Sequence, residues 1–493
     1  MHKIYASICI WIFSDGMIPS ESQVSSRQAN THSSARYPRS LTGDPFVDAG
    51  ITAIELMTGK SWTDIQEEDF KKAVDDLVSL YLTPAWSKDL QSVFPNSKFI
   101  NTSIKNKAKD SKEFLYDLIA GLGSGTQTDK TCIFCGRPAY DRTDEKPFTK
   151  SQIPLVGSSD LTNYFPSFQN GISICARCAL AIQFAPIVSY KAGGKPCIVS
   201  SNNPLVIQEL GKEALHYIHE QKLLGAYQSK ETSGIFDEKF RSPQNAIFHL
   251  AYKVTRLYRT KGICGENEEI TLYYIDNYNQ NPKGIAIYTL PNNVFRFVAV
   301  VMSSPEYRAS WFALLSRYYS KSKKESEDVP LWKVTPNPVH IQLLNNQSIL
   351  WAFKDDERKT LTLPFIVVER YMGLVRGMNK QRIEKIKNLA DRIAECIEKS
   401  GDKKRVNALQ SAKDLISFRN QIRLILKDWQ KQGHEDPLIG FDDYIEVLIP
   451  GDYAGWMEVR DLIVIRLYEK LHSMLARTAN EDDTDDSVKK GEK

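Results

Sequence analysis

The chain of 493 residues has a formal net charge of +4, and 42% of its residues are hydrophobic and 25% charged. These values indicate a globular protein of more than one domain and exclude a fibrous chain. No run of about 18 apolar residues occurs, so the sequence predicts no membrane-spanning helix. Because the net charge is small, a nucleic-acid partner would have to bind local basic patches.

Residues 1–36 are predicted to form a disordered extension outside the fold. After Lys3, the apolar run IYASICIWIF resembles the core of a secretory signal peptide. The Ser-rich stretch that follows is typical of disorder, and Met17 is a plausible alternative start. We therefore interpret the segment as a mis-assigned or non-native extension rather than a signal peptide.

Two helices are predicted before the first cysteine pair. Thr63 and Gln66 have the spacing of a capping box, which predicts a helix through TDIQEEDFKKAVDDLVSLYL. A second helix covers SKEFLYDLIAG and is predicted to end at Gly121. The stretch GLGSGTQTDK that follows fits no phosphate-binding motif, and we interpret it as a connector.

The eight cysteines include two C-x-x-C pairs, Cys132 with Cys135 and Cys175 with Cys178, with 39 residues between the pairs. Two such turns can place four thiolates around one tetrahedral zinc ion, and Gly136 eases the first turn. We therefore predict a structural zinc in a module at residues 130–180. Two unrelated turns, or a site that has lost its metal, are the alternative. The sparse cysteines favour a reducing compartment, so we predict a cytoplasmic protein.

The residues around these cysteines do not indicate catalysis. Four cysteines close the zinc shell, whereas catalytic zinc keeps one position open. Zinc-bearing nucleases need histidines beside the cysteines, and none lies between His32 and His216. His216 and His219 share a helix spacing but belong to no H-E-x-x-H motif. The sequence therefore predicts a protein that is not an enzyme.

The middle of the chain reads as mixed helix and strand. Strands are predicted at KPCIVSSN, ITLYYIDNY, GIAIYTL and FRFVAVV, which are rich in β-branched and aromatic residues. Helical spacing occurs in PLVIQELGKEALHYIHEQKLLGAY, NAIFHLAYKVTRLYRTKG and WFALLSRYYSKSKK. The last of these helices runs into a charged linker, KSKKESEDVP.

From about Val368 the pattern becomes almost entirely helical. Two apolar stripes are the basis of this prediction: Ile383, Ile386, Leu389, Ile393 and Ile397, then Val406, Leu409, Leu415, Ile416, Ile422, Ile425 and Trp429. Pro450 and Gly451 break a third helix, and a last one runs from Trp456 to Leu475. Short connections predict an antiparallel bundle. The acidic residues 479–493 are predicted to be disordered.

Positive charge is concentrated in two places. Residues 369–431 hold sixteen Lys and Arg against eight Asp and Glu. The candidate phosphate contacts there are Lys404, Arg405, Arg419, Arg423 and Lys427. A second patch holds Arg256, Arg259 and Lys261, interleaved with Tyr252 and Tyr258. A solvated helix face and aromatic core packing are the respective alternatives.

The order of these parts resembles a known family. The segment GDPFVDAG at residues 43–50, the two C-x-x-C pairs, the stretch YFPSFQNG before the second pair and the helical carboxyl-terminal bundle are similar to the zinc-bearing large subunit of type I-B CRISPR Cascade complexes. The resemblance covers roughly residues 40–478, and the middle matches only in the order of its elements.

This resemblance implies a non-catalytic subunit of a crRNA-guided complex. Such a subunit recognises the protospacer-adjacent motif (PAM) on double-stranded target DNA, helps to open the duplex and contacts the displaced non-target strand. Its partners would be crRNA, the backbone and crRNA-processing subunits, and either a helicase–nuclease or, in transposon-borne systems, transposition proteins. Asn202, Asn203 and the loop at 191–195 are candidate DNA-reading elements.

The resemblance also implies a division of the chain. We predict an α+β fold in which a mixed region at 37–365 contains the zinc module and precedes a bundle at 366–478 that resembles the small subunit. In this family the bundle can also be made separately, and Met372 and Met378 are candidate internal starts. The alternative function is another zinc-stapled nucleic-acid-binding scaffold, such as an RNA-processing or transposition accessory factor. A diverged zinc-knuckle nuclease is a remoter alternative.

Overall fold

The computed structural model describes residues 41–123, 129–142, 147–154, 156, 171–261, 268–276, 284–319, 329–448 and 455–475. The chain forms two compact units. The described residues of the amino-terminal unit run from 41 to 292 and from 329 to 336. Those of the carboxyl-terminal unit run from 293 to 319 and from 337 to 475.

Four helices open the amino-terminal unit: α1 (Pro45–Thr58), α2 (Glu67–Tyr81), α3 (Pro84–Val93) and α4 (Lys107–Gly123). Helix α1 begins where the Asp44 carboxylate accepts a 2.8 Å hydrogen bond from the Val47 amide, and Pro45 occupies its first turn. It ends at Gly59, which has a left-handed φ of 69°. Residues 46–54 are all buried, so α1 forms the centre of the unit.

A five-stranded sheet and three further helices follow in this unit. The helices are α5 (Ala176–Phe184), α6 (Pro204–Leu223) and α7 (Pro243–Lys261), and the strands are β1 (Tyr190–Ala192), β2 (Lys195–Ser201), β3 (Phe236–Phe240), β4 (Ile270–Asp276) and β5 (Gly284–Leu290). The strand order is β3-β1-β2-β4-β5, antiparallel except where β1 pairs with β3. Helix α1 packs against α5, α6 and β2.

The chain then passes between the two units. Helices α8 (Asn292–Ser303) and α9 (Pro305–Arg317) belong to the carboxyl-terminal unit, whereas the short helix α10 (Leu331–Val334) belongs to the amino-terminal one. There the Arg241 amide donates to the Lys333 carbonyl at 2.8 Å, and the Lys333 ammonium donates to the Glu238 carbonyl at 2.7 Å. These bonds hold the returning segment on β3.

The rest of the carboxyl-terminal unit is mainly helical. Its elements are α11 (Pro338–Leu344), β6 (Lys354–Asp355), β7 (Thr360–Leu361), α12 (Phe365–Leu374), α13 (Lys380–Ser400), α14 (Lys404–Gln410), α15 (Leu415–Lys431), α16 (Phe441–Leu448) and α17 (Gly455–Lys470). Helix α17 packs against α13, α14 and α15. The five isoleucines and leucines of the first predicted stripe are all buried on α13.

The predicted α+β fold with a helical carboxyl-terminal region is confirmed, and most predicted elements of the middle are present. One is wrong: FRFVAVV lies in helix α8, not in a strand. Its buried residues are Val294, Phe295, Phe297, Val298, Val301 and Met302. This spacing has the period of a helix, so tertiary packing of one face outweighs the β propensity of the residue types.

Three smaller predictions are also corrected. The cap of α2 is Gln66, whose amide donates to Asp69 at 3.0 Å, whereas Thr63 lies in the preceding 3-10 turn. Helix α4 continues past Gly121 to Gly123. Ile416, predicted to belong to the apolar stripe, is 73% exposed because it lies on the opposite side of α15 from the buried Phe418 and Ile422.

Several predictions concern residues that the structure does not describe. The extension at 1–36, most of the linkers, Pro450 with Gly451, and the tail at 479–493 lie outside the described residues. The predicted boundary between 365 and 366 stays a prediction, and the compact unit that contains the helical region begins at Asn293.

Candidate metal centre and basic surfaces

The first cysteine pair lies in a tight hairpin. The Cys132 amide donates to the Arg137 carbonyl at 2.7 Å, and the Gly136 amide donates to the Cys132 carbonyl at 2.9 Å. Gly136 has a φ of 70°, a conformation that glycine adopts without strain. The Ile133 amide also donates to the Ser173 carbonyl at 3.2 Å, which ties this hairpin to the residues just before the second pair.

The second pair lies at the start of a helix. Cys175 is the N-cap of α5, and its sulfur accepts a hydrogen bond from the Cys178 amide at 3.4 Å. Cys178 is in the first turn of that helix and is fully buried. The start of α5 therefore fixes the positions of Cys175 and Cys178.

The four sulfur atoms meet although 39 residues separate the pairs. Cys132, Cys135, Cys175 and Cys178 have all their sulfurs within 4.8 Å of one another, and those of Cys135 and Cys175 are 3.6 Å apart. None of the four is in a disulfide. Four thiolates that meet in this way are a donor set taken by tetrahedral zinc. The arrangement is consistent with a closed metal site.

The charge balance of the cluster favours a cation. Hydrogen bonds from the thiols of Cys175 and Cys178 lower the pKa of Cys132, so one thiolate is well stabilised. Hydrogen bonds to Cys132 and Cys175, together with burial, raise the pKa of Cys178 far above its usual value. A second negative charge is thus unfavourable among the thiols alone. A divalent ion would allow all four to bind as thiolates.

The segment GDPFVDAG connects the metal centre with the core. The buried Asp48 carboxylate accepts hydrogen bonds from the Thr42 amide at 2.9 Å, the Thr42 hydroxyl at 3.0 Å and the Gly43 amide at 3.1 Å. Further along α1, a Cβ atom on Gly50 would lie 1.8 Å from the carbonyl oxygen of Ala181 on α5. Glycine is therefore required where α1 crosses the helix that begins at Cys175.

The two asparagines predicted to read DNA lie in different environments. Asn202 is exposed between β2 and α6, and its side-chain oxygen accepts from the Glu269 amide at 2.9 Å. Asn203 is buried and caps α6, accepting from the Leu205 amide at 3.0 Å and donating to Glu268 at 3.2 Å. Only Asn202 is at the surface, and Asn203 supports the helix start. Residues 191–195, predicted to be a loop, form the β1–β2 hairpin, and Lys191 lies in β1, where it is buried in an ion pair with Asp89 at 2.6 Å.

The predicted patch on α7 is partly at the surface. Arg256 and Arg259 are exposed on this helix, and Tyr252 is buried. Tyr252 thus belongs to the core, as the alternative interpretation of this patch expects. The side chains of Tyr258 and Lys261 lie outside the described residues.

The basic residues of the carboxyl-terminal unit that were predicted to bind nucleic acid differ in their contacts within the protein. Arg405 forms an ion pair with Asp428 at 2.7 Å. Arg419 donates to the Tyr444 hydroxyl at 2.8 Å. Lys404, Arg423 and Lys427 are exposed, and no ion pair involves them within the described part of the chain. Whether any of these residues contacts nucleic acid stays a prediction.

Some surface residues were missed by the sequence reasoning. Phe441 and Ile445 on α16 are 77% and 42% exposed, and Ile416 is 73% exposed on α15. For Ile416 a signal was available, because it does not share a helix face with Ile422, Ile425 and Trp429. For Phe441 no sequence signal distinguished it from a core aromatic residue.

Comparison with known proteins gives one match, over a short segment of the chain. Residues 126–190, which contain all four cysteines, match a family described as CRISPR-associated protein (Cas_CXXC_CXXC). The chain thus carries a segment of a CRISPR-associated family, which supports a Cas protein. No curated protein and no solved structure gives a match. Among the described residues, no helix is both long and apolar enough to span a bilayer.

Proposed function

We propose that this chain is the large subunit of a type I-B CRISPR Cascade complex. In this role it recognises the PAM on target DNA, aids duplex opening, stabilises the displaced strand and recruits an effector. That effector is a helicase–nuclease or, in a transposon-borne system, a transposition protein. Its further partners are crRNA, the backbone and crRNA-processing subunits, and a small subunit that could start at Met372 or Met378.

The observation that carries this proposal is the four-cysteine cluster inside the CRISPR-associated match. Three of the four cysteines are buried in the core of a unit that also has exposed cationic residues on α7, and the other, mainly helical unit has exposed cationic residues of its own. In guide-dependent recognition, base pairing supplies sequence specificity, so the protein needs only a short motif reader and basic paths for strands. Local patches on a chain of net charge +4 suit that task.

We further propose that the metal is zinc and that the protein is not an enzyme. Four thiolates would fill the tetrahedral shell and leave no position for water or substrate. The ion would then stabilise the hairpin and the start of α5, and it would supply no Lewis-acid chemistry. The proposed location is the cytoplasm, where reduced thiols are the normal state.

The test is co-purification. The tagged chain is co-expressed with its neighbouring genes and a crRNA, and the eluate is examined for protein subunits, crRNA and binding of PAM-bearing duplex DNA. We expect a stoichiometric ribonucleoprotein whose DNA binding depends on the PAM. Replacing the surface residue Asn202 (Asn202→Ala) should weaken PAM-dependent binding, whereas the exposed control Asn388→Ala should not. A chain that elutes alone, without crRNA, would overturn the proposal.

A second candidate is a zinc-stapled nucleic-acid-binding scaffold outside Cascade, such as an RNA-processing or transposition accessory factor. It is favoured by one observation, the confinement of the family match to residues 126–190. In the same experiment this candidate expects a chain that binds nucleic acid by itself and elutes without backbone subunits.

A further inference from the structure

We propose that Cys135 and Cys175 form a reversible oxidation site, at which a hydroperoxide joins their sulfurs in a disulfide and thereby opens the metal site. The inference concerns the chemistry of the cysteine cluster and does not depend on the Cascade role proposed above. It rests on the proposed metal only for the release of an ion. Three observations carry it: the exposure of Cys135, the short distance between two sulfurs from different pairs, and the hydrogen bonds that hold both in place.

The four cysteines differ in their access to solvent. Cys132, Cys175 and Cys178 are 2%, 6% and 0% exposed, whereas Cys135 is half-buried and packs against the core. Ile133, in the same turn, is 43% exposed, so part of this hairpin faces solvent. Oxidation of a thiolate requires that the oxidant reach the sulfur. A small oxidant therefore meets Cys135 first.

The sulfur of Cys175 lies within reach of the Cys135 sulfur. The two Sγ atoms are 3.6 Å apart. A disulfide bond is about 2.0 Å long, so the sulfurs must approach each other by about 1.6 Å to form one. A movement of this size is small compared with the rearrangement that distant cysteines would need. The distance thus favours a bond between the two pairs.

Hydrogen bonds hold both sulfurs in this arrangement. The Cys178 amide donates to the Cys175 sulfur at 3.4 Å, which fixes it at the start of α5. The Ile133 amide donates to the Ser173 carbonyl at 3.2 Å, which ties the first hairpin to the residues before Cys175. Neither contact involves a metal ion. The two sulfurs therefore stay close to each other whether or not an ion is bound.

The reaction balances with a hydroperoxide as its co-reactant. The Cys135 thiolate attacks one peroxide oxygen, the O–O bond breaks, and hydroxide leaves as the sulfur becomes a sulfenic acid. The Cys175 thiolate then attacks the Cys135 sulfur, the S–O bond breaks, and a second hydroxide leaves as the S–S bond forms. Two electrons pass from the sulfurs to the peroxide. Two protons from the solvent convert the hydroxides to water.

The disulfide would exchange one connection for another. Only Cys132 and Cys178 would remain as thiolate donors, and a closed tetrahedral site needs four, so the ion would be released. The new bond would still join the first hairpin to the start of α5, which is the connection that the ion makes in the reduced protein. A thiol reductant breaks the disulfide and restores both cysteines, so the change is reversible.

The experiment maps the disulfides of the full-length chain after treatment with hydrogen peroxide. The protein is purified with a reductant and zinc, the reductant is removed, and ion release is followed with a metal-binding dye. Trypsin cleaves after Arg177 and so separates Cys175 from Cys178, whereas Cys132 and Cys135 share one peptide. Fragmentation of that peptide in the mass spectrometer shows which of the two is linked.

We expect a disulfide between Cys135 and Cys175, the loss of two hydrogen atoms from the mass of the chain, and release of the bound ion. Dithiothreitol should restore the reduced mass, and zinc added afterwards should bind again. The variant Cys135→Ser should form no disulfide with Cys175. The control Cys396→Ala, which removes a buried thiol of the carboxyl-terminal unit, should react like the wild type.

Other products would overturn the inference. These are a bond within either C-x-x-C pair, a bond to any other cysteine, oxidation of Cys135 to a sulfinic acid, and thiols that all stay reduced. Because the mapping uses the wild-type chain, the result does not depend on whether Cys135→Ser folds. A chain that forms this disulfide but held no zinc beforehand would contradict the proposed metal alone. One that forms it but never joins a ribonucleoprotein would contradict the Cascade role alone.

Discussion

Gly50 is the residue whose replacement most directly tests the link between the four-cysteine cluster and the core. A Cβ atom there would lie 1.8 Å from the Ala181 carbonyl oxygen, a backbone atom that cannot move without shifting α5. We expect Gly50→Ala to lower the free energy of unfolding by about 3 kcal/mol. Urea denaturation followed by circular dichroism measures the change.

Gly123 provides the matched control for that substitution. A Cβ atom on Gly123 meets nothing within 4 Å, and this residue is also in a helix, α4. Gly123→Ala should therefore be neutral or slightly stabilising, since alanine has the higher helix propensity. If both variants unfolded at the wild-type denaturant concentration, the close approach of α1 and α5 would be wrong.

His340 gives the carboxyl-terminal unit a defined dependence on pH. Burial lowers its pKa from 6.5 to about 3, so the folded protein keeps this imidazole neutral while the unfolded chain takes up a proton below pH 6.5. The contribution of the neutral His340 to the free energy of unfolding is complete above pH 6.5 and is lost as the pH falls toward 3. Between pH 6.5 and 5 the loss is about 2 kcal/mol.

The variant His340→Gln isolates this contribution, because glutamine cannot take up the proton. We expect its unfolding free energy to fall less than that of the wild type when the buffer changes from pH 7 to pH 5. The difference between the two slopes is the quantity to compare, since other groups, including the buried His249, titrate equally in both proteins. Parallel slopes would show that burial does not lower the pKa of His340.

At the scale of the elements, α8 is the segment that sequence patterns predicted as a strand and that is a helix. Substitutions of two of its valines test this correction. In the helix, Val298 is buried and Val300 is only half-buried. In a strand, the two side chains would point to the same face and be buried alike. Val298→Ala should therefore lower the free energy of unfolding by about 2 kcal/mol. Val300→Ala should lower it by much less. Equal losses in thermal or urea unfolding would favour the strand.

Helix α8 also shows why patterns of residue type fail for short apolar runs. FRFVAVV is rich in residues with β propensity, but its partners are distant in sequence: Phe297 packs edge-on against Trp311 and Tyr371. Such contacts are not visible in a local window. Helix α13 was predictable for the opposite reason, since its stripe is long and strictly periodic.

For the candidate site, the ligand set was predictable and its surroundings were not. The spacing of Cys132, Cys135, Cys175 and Cys178 is a local signal of metal binding, and the sulfurs do meet. The role of Cys175 as a helix cap, and the crossing of Gly50 with α5, depend on tertiary contacts that no spacing encodes.

At the scale of the whole molecule, removal of the proposed metal should affect the two units differently. All four cysteines belong to the amino-terminal unit, where they line its hydrophobic core. Chelation should therefore increase hydrogen exchange at 45–58 and 176–184, because the ion would no longer fix Cys175, the N-cap of α5. Exchange at 380–431, in the carboxyl-terminal unit, should stay at the level of the untreated protein. Mass spectrometry of peptides after treatment with a strong chelator measures both regions.

The division into two units was itself difficult to predict. The chain leaves the amino-terminal unit after Asn292, returns for residues 329–336 and leaves again at Asn337. The returning segment is held by Lys333 and by the Asn245 side chain, which donates to the carbonyls of Trp332 and Thr335. Amino-acid composition predicts where linkers lie, but it does not predict which of two hydrophobic cores a short segment packs against.

The crossing of α1 and α5 has a consequence for the synthesis of the chain. Gly50 and Ala181 are 131 residues apart, so at ribosomal rates α1 waits about 7–26 s before its partner helix emerges. During that interval the apolar face of α1 has no α5 to cover it, and the first cysteine pair has no second pair with which to hold an ion. The nascent chain, more than the finished protein, is thus where this unit is most prone to aggregate and most dependent on chaperones.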